Sequence, residues 1–161
     1  MKTILLDFDP YYINQGDPDF GNIQFKNKTT VKSYGCAVCC ASMIICKALN
    51  LRAAADKQAV IKKVIADATN EGGLVTWTNI NYNGRVFKFT KNADYWSMLW
   101  DNEPSICKLN GHFVVLNGFD MNKAGYEILL IKDPGVKANT NLAQPMAKYG
   151  QGFLDMIALK A

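Results

Sequence analysis

Apolar positions along this chain follow two regimes. Between residues 36 and 49 they recur at Val38, Ala41, Ile44, Ile45, Ala48 and Leu49, three and four apart, the spacing of one helix face. AAADKQAVIKKVIADATNEGG, from Ala53, repeats the pattern. Val60, Ile61, Val64, Ile65 and Ala68 form its stripe, and Gly72 and Gly73 are expected to stop it. Beyond residue 84 the apolar runs shorten and turn rich in Val, Ile, Leu and Phe. GRVFKFT (84–90), PSICKLN (104–110), HFVVLNGFD (112–120) and YEILLIKDP (126–134) read as strands, and GFLDMIAL (152–159) as a last one. ADYWSMLWDN (93–102) interrupts them as a short helix. The first 34 residues are rich in Asp, Asn, Gly, Pro and aromatics and read as an irregular arm with short extended pieces. Helices lead and a mostly antiparallel sheet follows, which is the α+β arrangement.

Length fits this picture: 161 residues suit one domain, 1–161, around a single core. No repeat or linker divides it. The early apolar patch, Ile4-Leu5-Leu6, is too short for the core of an export signal, and no run reaches the roughly 18 apolar residues of a membrane helix. The expectation is a chain that is cytoplasmic as synthesised and has no membrane partner. Export without a signal, as in phage-type lysis, stays open. Net charge is +4, but the lysines are scattered and form no basic run. Nucleic acid is therefore not expected as a partner. Five cysteines without an export signal read as reduced thiols, not as a disulfide framework.

Candidate chemistry narrows quickly because the chain has one histidine, His112. It opens a predicted strand, and a hairpin across MNKAG would set Asp133 directly opposite it, with Cβ atoms roughly 5 Å apart on one face. A one-residue slip would undo the pairing. A thiol would complete a nucleophilic site. Cys36 sits where the first helix begins, and unpaired N–H groups of a first turn stabilise a thiolate. Cys39, Cys40 and Cys46 fall inside that helix, where a small buried hydrophobe is the default role.

GCAVCCASMI (35–44) resembles the nucleophile motif of papain-like cysteine peptidases of the bacteriocin-leader-processing type, with Cys39 and Cys40 in places often held by Thr and Ser. PSICKLNGHFVVLNGFD followed by ILLIKDPG resembles the family's second half, and INQGDPDF (13–20) its Gln-x-Asp-Pro-x-aromatic element. The resemblance covers residues 11–136 and implies a papain-like fold whose leading helix carries the nucleophile. It implies Cys36 as nucleophile, His112 as acid and base, Asp133 as the residue orienting the imidazole, and Gln15 as an oxyanion donor beside the backbone N–H of Cys36. Gln24, nearer in sequence, is a rival for Gln15. No cofactor or metal is implied. The substrate would be a peptide, a protein or a cell-wall peptide. Leader-processing members are normally fused to a transporter, so a lysin acting on peptidoglycan peptides is the preferred expectation.

Other readings compete. A peptide-binding or regulatory module could keep the same shell, and an acyltransferase could use the same thioester. Cys36-Ala-Val-Cys39 also spells the thioredoxin-type motif, although no βαβ unit precedes it. Zinc could be held by Cys36, Cys39 or Cys40, Cys107 and His112, but only one pair has ligand-like spacing. Asn117, Asp120, Asn139 and Asn141 rival Asp133 as third member. Trp77, Trp96 and Trp100 could line a cleft, though the last two are four apart, as helix core residues are. Asn79, Asn81 and Asn83 read as the polar edge of an extended segment.

Overall fold

The structure, a computed structural model, describes residues 3–91, 103–150 and the backbone of 155–160. The expected helix at 93–102, with Trp96 and Trp100, lies outside the described residues. Among those described, strands β1 (Thr3–Leu5), β2 (Ile80–Tyr82), β3 (Arg85–Lys91), β4 (Ser105–Leu109), β5 (His112–Asp120), β6 (Leu129–Lys132) and β7 (Asp155–Lys160) form one sheet. Every pairing in it is antiparallel, in the order β1-β5-β4-β7-β3-β2, with β6 on the other side of β5. Helices α1 (Pro18–Gly21) and α2 (Val31–Tyr34) are single turns; α3 (Cys36–Leu49) and α4 (Ala54–Ala68) are long, and α5 (Ala143–Tyr149) comes late. The fold is α+β.

Helix α3 matches its expected limits. It is buried from Val38 to Cys46 and ends where Asn50 turns left-handed, at φ 55°. Asn tolerates that conformation because its short amide bonds locally. Helix α4 ends earlier than expected. The Thr69 hydroxyl donates to the Ile65 carbonyl at 2.6 Å and Thr69 turns extended, so the last turn is closed before the glycines are reached. Gly73, at φ 82°, instead serves the turn that follows, where the Asn70 side chain accepts from Gly72 and Leu74. The Asn79–Gly84 stretch supplies β2 and a two-residue hairpin turn at Asn83 and Gly84, with φ values of 52° and 79°. Asn-Gly is favoured there because both central residues need positive φ.

Strand β5 organises the sheet. Its first half pairs with β4, its second half with β1, and its far side with β6. A register shift between Leu116 and Gly118 bulges it at Asn117. The Asn117 side-chain oxygen accepts from the Phe8 N–H at 2.9 Å, and its carbonyl accepts from the Leu6 N–H at 2.8 Å. Gly118, at φ 146°, allows β1 to approach so closely that a Cβ would overlap the Ile4 carbonyl. The bulge thereby ties down the amino-terminal arm. Two apolar clusters result: a large one around α3 and α4, and a smaller one of Cys107, Leu109, Val114, Leu116, Leu129 and Met146 with their neighbours.

The expected strand 126–134 is shorter than its apolar run. Gly125–Ile128 is a 3-10 turn, and only Leu129–Lys132 pairs with β5.

Candidate active site

Cys36 is the first residue of α3, and its position follows from Gly35. Helix α2 ends there: the Gly35 N–H donates to the Val31 carbonyl at 2.7 Å. A Cβ on Gly35 would lie 2.6 Å from Val31 Cγ1 and overlap the Val31 carbonyl oxygen, so only glycine lets the two helices abut. The backbone N–H of Cys36 then belongs to the first turn, which has no intrahelical acceptor. Cys36 is half-buried, whereas Cys39, Cys40, Cys46 and Cys107 are buried. Burial pushes the thiols of Cys39, Cys40 and Cys107 well above their ordinary range. It pushes Cys46 up to about 12, against the pull of Lys57. These four are packed in the interior. None of the five is in a disulfide.

His112 opens β5 opposite Leu109, with its side chain 5% exposed. Its Nε2 lies 2.7 Å from Asp133 Oδ1, and Cys36 stands close enough to act on the ring as well. With Nε2 taken, Nδ1 is the nitrogen left to the sulfur. Burial, the largest single influence, opposes the charged ring. The bond and charge of Asp133, with the nearby Cys36, outweigh it together, and the imidazole is pushed up to about 9.

Asp133 is buried, and burial alone would raise it. The bond and charge of His112, then Asn139 and Gly135, hold it below the ordinary carboxylate value. Both of its oxygens are engaged. Oδ1 receives the Gly135 and Val136 N–H groups at 2.8 and 3.3 Å besides His112, and Oδ2 receives Asn139 Nδ2 at 3.0 Å. The arm clasps the same loop: Tyr12 Oη donates to the Asp133 carbonyl, and the Gln15 N–H to the Pro134 carbonyl at 2.8 Å.

The four residues expected at the site are therefore neighbours. The strand register that suggested it was wrong, however. Observed pairs run Val115 with Lys132 and Leu116 with Ile131, so extending them sets Val114, not His112, opposite Asp133. The bulge at Asn117 and the 3-10 turn before β6 displace the pairing by two residues. Two is one full period of a strand, so both side chains stay on one face and meet diagonally.

Gln15 arrives with its amide turned. Nε2 donates to the Lys32 carbonyl at 3.0 Å and, weakly, to that of Val31 at 3.5 Å. Oε1 is buried without a hydrogen-bond partner. It lies 3.8 Å from where a Cβ of Gly135 would be, a point only 3.3 Å from His112 Cε1. Gln24 is exposed and bridges Thr30 within the arm.

Of the rivals for the third member, Asn139 holds Asp133, Asn117 braces the bulge, and Asp120 accepts from the Asn122 N–H at 3.0 Å in a turn. Asn141 bridges to Leu130. Among the described residues no group of three or more His, Cys, Asp and Glu could hold a metal ion, so the thiol and imidazole set weighed for zinc does not converge. No described helix is long and apolar enough to cross a membrane. A cleft of about 950 Å³ runs past Tyr12, Gly16, Arg52, Lys57 and Lys132, but none of Cys36, His112 and Asp133 lines it. Trp77 packs against Phe89 and Phe113 at 5.8 and 5.6 Å.

One neighbour went unforeseen. Tyr149 lies on His112, ring centroids 4.5 Å apart and planes 16° from parallel. Its helix, α5, was legible in principle: Leu142, Pro145, Met146 and Tyr149 fall at i, i+3, i+4 and i+7, and Gly150 follows.

No protein-family model matches the chain, and no curated protein or solved structure matches it either.

Proposed function

We propose that this chain is a cysteine peptidase of papain-like type, hydrolysing peptide or isopeptide bonds through a thioester. One observation carries the reading: the His112 ring is hydrogen-bonded to buried Asp133 and lies beside Cys36, the one cysteine that is not buried. The papain-like layout is supported by a nucleophile heading a buried helix and by its base and acid on an antiparallel sheet.

In this mechanism Cys36 passes its thiol proton to Nδ1 of His112, and the thiolate attacks the substrate carbonyl carbon. The oxyanion that develops meets the backbone N–H of Cys36. Gln15 adds a second donor once its planar amide rotates as a unit, bringing Nε2 from the Lys32 and Val31 carbonyls to the side where Oε1 now lies. The imidazolium then gives its proton to the departing amine, which leaves a thioester on Cys36. Water attacks that thioester with His112 as base, releasing the carboxylic acid and restoring the thiol. Asp133 keeps the ring in orientation and balances its charge throughout. The two substrate classes to test are cell-wall stem or cross-bridge peptides and protein segments.

Iodoacetamide labelling at neutral pH is the first test. Cys36 should react well above an ordinary thiol, and His112→Ala should remove the excess; uniformly sluggish thiols would point to a binding module instead. Purified sacculi and a peptide library, treated with wild type and Cys36→Ala, then identify the bond. An added amine acceptor separates hydrolysis from acyl transfer by product mass.

A further inference from the structure

His112 is the first residue of β5, directly after the tight turn at Asn110 and Gly111, so no preceding strand residue flanks its side chain. Its ring is fixed by contacts instead. One edge meets Asp133, another Cys36, and Gly135 stands against Cε1 with no room for a Cβ at ordinary distance. A ring face is covered by Tyr149, nearly parallel at 4.5 Å. That tyrosine is itself well anchored. Pro145 and Met146 of α5 are buried, and the Gly150 N–H returns to the Met146 carbonyl at 2.9 Å with φ 106°, ending the helix just behind Tyr149.

We propose that Tyr149 is a positioning residue for His112, its ring holding the imidazole plane so that one nitrogen faces Asp133 and the other Cys36. The inference rests on the peptidase reading above, since it gives that plane a purpose. Two physical effects follow from the stack. An aromatic face attracts a cation lying on it, so the ring favours imidazolium over imidazole. The cover also keeps water from the bond between Nε2 and Asp133, and a bond in low dielectric is electrostatically stronger. The charged or titratable groups facing the imidazole are Cys36 from α3, Asp133 beyond β6 and Tyr149 from α5. Lys148, whose Nζ lies 5.2 Å from the Tyr149 ring centroid, draws on the same aromatic ring.

The single histidine makes the test direct, because its NMR signals need no assignment among others. In the wild-type protein, cross-relaxation between the Tyr149 and His112 rings is expected; its absence overturns the proposal. Tyr149→Leu keeps an apolar cover but removes the aromatic face. At unchanged unfolding temperature it should lower the His112 titration midpoint by roughly half a unit to one unit. Cys36 alkylation should slow by about three- to tenfold. Tyr149→Phe, which restores the ring, should recover both to within about twofold, the same scale of error that separates cation–π estimates. A merely structural tyrosine would change stability without moving the midpoint, and that result overturns the proposal. If Cys36 is hyper-reactive and dependent on His112 yet indifferent to Tyr149→Leu, the positioning role alone falls. If Cys36 is no faster than an ordinary thiol, the peptidase reading falls and takes this inference with it.

Discussion

His112 and Asp133 are hydrogen-bonded, Nε2 to Oδ1 at 2.7 Å, without being strand partners. The contact is a diagonal across β5 and the end of β6, made possible because the two residues share a sheet face and Asp133 begins to turn away. Gly135, Val136 and Asn139 then fix the carboxylate from the loop side, so its orientation owes nothing to the ladder.

Asp133→Asn should collapse the basicity of His112. Burial is the largest influence on the ring and opposes charge; of the groups that overcome it, the carboxylate is the foremost and Cys36 the second. Losing that charge should bring the midpoint from about 9 to below the ordinary 6.5, read by NMR on the only imidazole in the chain. A midpoint still near 9 would show that another group carries the charge.

Stability should depend on pH in a defined direction. The folded imidazole is raised from 6.5 to about 9, so its contribution is complete below pH 6.5 and is lost as pH rises through 9. The full contribution is on the order of 3 kcal/mol. Asp133 is lowered from 3.8, so its share is present above that pH and fades as acid is added. Urea midpoints should therefore be highest between those limits and fall between pH 6.5 and 9, and His112→Ala should flatten the alkaline fall. An equal alkaline fall in that variant would contradict the linkage.

Gly35→Ala should damage fold and site together. The new methyl would overlap the Val31 carbonyl, which is backbone and cannot swing aside. A loss of about 1–3 kcal/mol is expected from forced overpacking of this kind. It should appear as a lower urea midpoint, with slower Cys36 alkylation even under conditions where the variant stays folded. Wild-type values for both would mean the α2–α3 junction gives way cheaply.

Labelling of the native protein should stop at one thiol. Cys39, Cys40, Cys46 and Cys107 are buried, and only Cys36 reaches the surface. Intact-mass measurement after iodoacetamide should show a single adduct on Cys36, with the other four appearing only in denaturant. A second native adduct would mean that α3 opens locally near its head.

Much of the fold was legible because burial leaves periodic traces. Helix α3 could be placed to the residue because its apolar stripe runs at helical spacing from Val38 to Leu49. Helix α4 was overextended because the Thr69 hydroxyl closing its last turn competes with backbone geometry in a way glycine spacing does not reveal. The strand expected over 126–134 is cut short for a similar reason: Ile128 is apolar yet sits in a 3-10 turn. At the site, the one histidine and the one helix-heading cysteine singled themselves out by type and position. Tyr149 did not, because nothing local marks a tyrosine as the cover of a ring 37 residues earlier.

By itself, the sequence determined the residue types available for chemistry, the helix that begins at Cys36 and the glycine that must precede it. These follow from local sterics and periodicity, which short stretches of chain fully express. Only the tertiary structure decided the β5–β6 register, the turned amide of Gln15 and the stacking of Tyr149 on His112. Those depend on a bulge at Asn117 and on contacts between distant segments, whose energies are set by the packed whole and by no window of sequence.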